Sequence, residues 1–320
     1  MDRNCKDKMF SKSDTVKHFS LWLVIVALGV FSLSATAWAQ AGLPESVPEE
    51  SIDGENERGT AGPMSTERPR RYWLRLVAEA GFLAVLDHKI QFGSDGTYFD
   101  YVEDGGQNNL FFNARLGVEL GLFRHHQIIF LYQPLTLESD AILDEELRVD
   151  GETFPQGSPV NFSYGFSFFR LSYLYDFFAR RDLEVAIGLT LQIRNADITY
   201  SSGDGSLYRS EQDIGLVPAL KLRVTWYHRS GFFLGTEIDG MYAPVSYLNG
   251  SDEEIVGAIL DASVRAGITL PRNVQAFLNV RYLGGGAVGS NSDDTGPGDG
   301  YTRNWLHFLT VTLGVNWDLL

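Results

Sequence analysis

Three side chains in this 320-residue sequence have the types and spacing for proton-transfer chemistry: Asp87, His88 and His307. A carboxylate beside an imidazole is the smallest unit that holds a general base in one orientation. Asp87 and His88 end the first strand-like segment, and His307 begins the last. If those two segments pair, all three residues arrive at one rim, where a hydrolytic site could form. The plainer reading makes them ordinary polar residues at a sheet edge. The expectation carried forward is no catalytic residue, no metal and no cofactor.

The segments that must position them alternate with a period of two. The last is apolar at Trp305, Leu309, Val311, Leu313, Val315, Trp317 and Leu319, and small or polar at Thr310, Thr312, Gly314, Asn316 and Asp318. Such a strand suits lipid on one face and a wet interior on the other. Ten segments of this character are read at 72–86, 109–122, 127–137, 160–178, 183–200, 214–228, 231–247, 255–270, 274–286 and 305–319, rich in β-branched and aromatic residues and separated by turn formers. No long repeat is visible, which argues against a propeller or solenoid.

The connections alternate too. Arg124-His125-His126, Ala179-Arg180-Arg181-Asp182, His228-Arg229-Ser230 and Pro271-Arg272-Asn273 are tight and basic. The others, at about 87–108, 138–159, 201–213, 248–254 and 287–304, are long and acidic. Short periplasmic turns, longer outer loops and an even strand number, with both termini periplasmic, belong to membrane barrels. The predicted fold is therefore all-β: a transmembrane antiparallel up-and-down β-barrel of ten strands over 72–320. A soluble barrel would instead keep bulky apolar residues inside. Asn113, Arg115 and Glu119 share one face of the second segment, opposite Phe112, Leu116, Val118 and Leu120.

Tyr72, Phe123, Phe177, Trp226, Phe232 and Trp317 are read as a lower aromatic girdle, and Tyr164, Tyr200, Tyr242, Tyr282 and Trp305 as an upper one. An apparent phase change between Phe168 and Phe169 predicts a bulge, and Pro218 predicts a break in the ladder.

Thr312, Gly314, Trp317 and Leu319 resemble the terminal insertion signal of Gram-negative outer-membrane barrels, with Leu319 in place of the usual final aromatic. That resemblance implies an outer-membrane address and handling by the barrel-assembly machinery during insertion. Omptin proteases are ten-stranded barrels with an Asp–His pair and further acidic residues at the outer lip. This chain is similar to them in strand number and in adjacent Asp87-His88, but no second acidic pair matches.

The polar faces supply sixteen charged residues for the lumen. Arg75, Arg115, Arg170, Arg194, Lys221, Arg223, Arg265 and Arg281 stand against Glu79, Glu119, Asp176, Glu184, Glu237, Asp239, Asp261 and Asp318. A narrow interior requires such a balance, because an unpaired charge there costs several kcal/mol. The readings are a structural plug of salt bridges or, alternatively, a constricted, porin-like channel for small solutes or ions.

The ends and composition bound the rest. Lys6, Lys8, Lys12 and Lys17 precede an apolar run from Phe19 to Ser34, and Ala37-Trp38-Ala39 offers a cleavage site, so 1–39 reads as a signal peptide. Residues 40–71 read as a disordered acidic periplasmic lead-in. Cys5 lies in the segment to be removed, so the processed chain has no thiol. Removing 1–39, with five Lys or Arg and three Asp or Glu, leaves 21 basic against 38 acidic residues, near −17. Nucleic acid is therefore not an expected partner.

Loop acids include Glu138, Asp140, Asp144, Glu145, Glu146, Asp150, Glu152, Asp252, Glu253, Glu254, Asp293, Asp294 and Asp299. None shows the ordered spacing of a calcium loop. An acidic surface would meet lipopolysaccharide through divalent cations. The leading functional expectation is a non-catalytic envelope barrel with a structural or surface-interaction role, its oligomeric state left open.

Overall fold

The computed structural model describes residues 71–244, 255–290 and 299–319. The signal-peptide and lead-in expectations, and those for Asp252, Glu253, Glu254, Asp293 and Asp294, lie outside the described residues. Fourteen strands follow in order: β1 Tyr72–Phe92, β2 Phe99–Asp100, β3 Leu110–Leu122, β4 His126–Gln133, β5 Thr136–Ile142, β6 Leu147–Val149, β7 Glu152–Phe154, β8 Pro159–Asp176, β9 Leu183–Ser202, β10 Tyr208–Tyr227, β11 Phe232–Pro244, β12 Val256–Leu270, β13 Val274–Ser290 and β14 Tyr301–Asp318.

Neighbouring wall strands pair antiparallel in chain order, and β1 pairs β14, so the sheet closes on itself. β4 and β5 both pair β8 and together form one wall strand, interrupted at Pro134-Leu135. Pro134 has no N–H to give a ladder. Counting that pair once gives a ten-stranded antiparallel barrel. β2 and the β6–β7 hairpin belong to the first two long connections. Among the described residues no helix is long and apolar enough to cross a membrane. The wall itself is apolar outside: Phe112, Leu116, Leu171, Leu189, Leu220 and Leu313 are all exposed. Closure leaves no sheet edge between β1 and β14, as a spanning sheet requires.

The structure corrects several expectations. β8 alternates without interruption from Val160 to Asp176, and its register with β9 is continuous, so there is no bulge at Phe168 and Phe169. The bulge lies in β1, where the register with β14 shifts between Val85 and Asp87. The extra residue, Leu86, moves Val85 and His88 onto the same inward face. Pro218 pairs in step with Leu191 of β9, while β10–β11 pairing runs only from Tyr227 up to Leu220, two residues short of the proline.

The lower aromatic girdle residues are all exposed on the outside, as are the outward Trp317 and Leu319 of the terminal signal. Tyr164 and Tyr200 are not girdle residues, because both are fully buried inside. Thr312 and Gly314 face inward. A Cβ on Gly314 would lie 2.2 Å from Cζ of Phe277, so this position is bare because a ring occupies its space.

Candidate functional site

The inward-facing rows carry two layers of different chemistry, and the change comes at a matching place on strand after strand. It falls between Arg170 and Phe168 on β8, Lys221 and Ala219 on β10, Asp261 and Ile259 on β12, Arg281 and Leu283 on β13, and Thr310 and Phe308 on β14. Below that level the lumen is charged, and above it mainly apolar, with Arg209 and Glu211 of β10 the exception.

The lower layer is a chain of ion pairs with a second group gathered on Glu79. Arg75 bonds Asp318 at 2.5 Å and approaches Glu119 at 3.7 Å. Glu119 accepts from Arg223 at 2.7 Å, and Arg223 reaches Glu237 at 2.9 Å. Glu184 sits 3.9 Å from Arg223 and accepts from Gln127 at 2.7 Å. Glu237 also accepts from Arg265 at 2.7 Å and Lys221 at 3.2 Å. Lys221 continues to Asp239 at 2.8 Å. Arg170 joins Asp239 at 3.6 Å to Asp261 at 2.5 Å, and Asp261 accepts from Arg281 at 2.6 Å. Glu79 takes Arg115 at 3.2 Å, Asn279 at 2.8 Å and Thr312 at 2.9 Å. These carboxylates have the several donors that a dry interior demands.

Two of the sixteen expected lumen residues play different parts. Asp176 caps the turn below it, accepting from the backbone amides of Phe178 at 3.1 Å and Val185 at 3.4 Å. Arg194 lies at the layer boundary with its guanidinium 5.0 Å from the Phe166 ring centre. Arg170 stands likewise 4.9 Å from Phe168. The two layers therefore meet through cation–π contacts. A cavity of about 30 Å³ remains in the charged layer, beside Glu79, Arg115, Glu119 and Arg223.

The upper layer was not expected. Leu83, Phe162, Tyr164, Phe166, Phe168, Tyr200 and Phe308 come from the wall, and all are buried. The long connections fold in upon them. Leu147, Val149 and Phe154 of the β6–β7 hairpin are buried, as are Phe99 and Tyr101 of the first connection. An ion pair between Arg209 and Asp150 ties the hairpin to β10. Among the described residues, the first two long connections thus pack into the mouth.

The seam residues separate. Asp87 and His307 are register partners on the outside of the β1–β14 seam. His307 Nδ1 lies 2.5 Å from the Tyr282 hydroxyl, and Asp87 lies 3.8 Å from Lys89. His88 points the opposite way, is fully buried, and bonds Gln107 through Nδ1 at 2.7 Å. Asp87-His88 is therefore not a working pair, because the two side chains lie on opposite faces of one wall strand.

Other histidines sit at the short turns. His125 bonds the Asp176 carbonyl and His126 the Tyr173 hydroxyl, both at 2.7 Å. Among the described residues no three His, Cys, Asp or Glu side chains are grouped to hold a metal ion. In the connection between β9 and β10, amide and hydroxyl donors of Ser206 and the Ser202 hydroxyl hold the Asp204 carboxyl down to about 2.

No protein-family model matches the sequence. No curated protein matches it either. The solved structures it is similar to include the outer membrane protease OmpT from Escherichia coli, at 11% identity and TM-score 0.45, covering 77% of this chain and 97% of that one. The toluene transporter TodX from P. putida is similar at 8% identity and TM-score 0.32, covering 77% and 90%. A FadL homologue from Pseudomonas aeruginosa is similar at 7% identity and TM-score 0.37, covering 80% and 93%. What the structure itself shows is a closed ten-stranded antiparallel barrel with an apolar outer face.

Proposed function

We propose that this chain is a closed, non-catalytic barrel of the outer membrane, with a structural or surface-interaction role exercised through its acidic outer loops. The observation that carries this reading is an interior filled in both layers, with a residual cavity of about 30 Å³. A lumen packed with its own ion pairs and rings leaves little room for a solute. The short basic turns and long acidic loops favour periplasmic termini and an outward acidic face. The partners that follow are membrane lipid, lipopolysaccharide through bridging divalent cations, and the barrel-assembly machinery at insertion.

Planar-bilayer recording of refolded protein is the test. The expected trace has no stable unitary steps. Steady ohmic steps whose ion selectivity changes in Glu119→Gln would replace this reading with a narrow channel. Asp87 and His307 facing each other across the seam favour a second reading, a lip-located hydrolase. Lipid- or peptide-cleaving activity abolished by Asp87→Asn would support it.

A further inference from the structure

The short turns carry a charge opposite to that of the chain as a whole. Residues 123–125, 177–182, 228–231 and 271–273 hold Arg124, Arg180, Arg181, Arg229 and Arg272 against one carboxylate, Asp182, in a sequence of formal charge −15. Asp182 is taken by Arg180 at 2.7 Å. Two of these turns also place arginine against backbone preference. Phe123 and Arg124 lie at φ 53° and 73°, and Arg272 and Asn273 at φ 65° and 59°. Two successive residues in the left-handed region favour Asn and Gly, and a ring followed by an arginine is strained there. Strain of that kind is kept where the side chain it presents has a use.

One corner of this rim combines free charge with apolar rings. Tyr72 of β1 pairs with Leu122 of β3, Leu122 with His126 of β4, and His126 with Tyr175 of β8. That row ends the outward apolar wall, and Tyr72, Phe123 and Tyr175 are all exposed. Phe123 meets Tyr72 edge-on at 5.5 Å. The exposed Arg71 guanidinium lies 5.5 Å from each of those two ring centres, and Arg124 follows Phe123, also exposed. Among the described residues, the ion pairs include neither Arg71 nor Arg124. Guanidinium groups beside rings that continue an apolar wall fit a ligand with an anionic head and an apolar tail. A soluble acidic partner would have no use for the rings.

We propose that this corner is a binding site for the headgroup of an anionic phospholipid. Arg71 and Arg124 take the phosphate, and Tyr72, Phe123 and Tyr175 lie along the first part of the acyl chains. The inference rests on the reading of the outer wall as lipid-facing. Each arginine near an anionic lipid surface adds about fivefold to binding.

The test titrates dihexanoyl phosphatidylglycerol into refolded protein held in non-ionic detergent, with NMR reading the amides of 71–72 and 122–126. Saturable shifts are expected there, at an affinity about fivefold above that for dihexanoyl phosphatidylcholine, which carries no net charge. Arg71→Gln combined with Arg124→Asn should bind phosphatidylglycerol about 25-fold more weakly. Asn tolerates the left-handed conformation of position 124, so the turn should fold in that variant.

Equal affinity for the two lipids would overturn the proposal, as would unchanged binding in the double variant or shifts confined to other turns. Glycerol phosphate saturating the same amides as tightly would mark a free-ion site and overturn the lipid assignment. Protein that stays dispersed without detergent would remove the lipid-facing wall itself. Protein folded in micelles with no lipid preference would remove this inference alone.

Discussion

The lower and upper halves of this barrel share one wall and one alternation, yet they are filled in different ways. Below, Arg223 reaches Glu119, Glu184 and Glu237, and Arg170 joins Asp239 to Asp261. Above, Phe162 and Tyr164 pack against Tyr101 of the first long connection, and Phe166 and Phe168 pack in line beside them on the wall. The charged half uses wall residues alone. The apolar half needs the loops, because rings from the wall leave a centre that Tyr101 and the hairpin fill. The difference teaches that the outward apolar row marks the membrane wall, whereas the inward row is free to change chemistry along its length.

That contrast makes the two halves fail differently. Removing one ion from a dry network strands its partner, whereas truncating a ring leaves a hole. The largest effect is expected from Arg170→Met, which takes from Asp261 its 2.5 Å partner. Urea unfolding of the folded barrel should show a loss of about 3–5 kcal/mol. A loss under about 1 kcal/mol, the scale of a solvated pair, would mean that water screens the layer and the contrast is false.

Phe162→Ala should cost about 3 kcal/mol through its cavity, with no dependence on salt. A clear dependence on salt would blur the two halves into one. A smaller and local effect is expected from Asp150→Asn, which weakens the latch to Arg209. Trypsin should then cut near Arg148 while the urea midpoint moves little. A protected Arg148 would show that packing alone holds the hairpin.

The smallest effect concerns pH at the β9–β10 turn. Asp204 is held down to about 2, so its contribution is present above the ordinary carboxylate range and is lost as pH falls through about 2. Carbon NMR of its carboxyl should titrate near that value. An ordinary midpoint near 4 would say that the turn donors are not engaged.

The charged half was legible in the sequence because a charged row against an apolar row leaves the two-residue period visible. The upper half was not, for the same reason reversed. From Val160 to Phe168 the inward row is wholly apolar while the outward row, Asn161, Ser163, Gly165 and Ser167, is polar or small, and only from Phe169 and Leu171 does the outward row turn apolar. Where the inward row turns charged at Arg170 the two rows exchange chemistry, and that exchange imitates a change in phase. A signal was present: Val160, Phe162, Tyr164, Phe166 and Phe168 keep parity with Arg170.

Leu86 could not be recognised as a bulge, since one inserted apolar residue beside Val85 has no local signature. Its consequence is that His88, expected at a wet rim beside Asp87, became a core residue. The inward folding of the connections was equally hidden, because β2 and β6 are two and three residues long.

The lower layer holds together through lumen charges that are buried and depend on one another. A double-mutant cycle on Arg223 and Glu119, whose side chains meet at 2.7 Å and 3.2 Å, tests this most directly. Arg223→Met alone should destabilise strongly, and adding Glu119→Gln should recover part of that loss, because it removes a carboxylate left stranded. Two small losses that simply add would contradict the account.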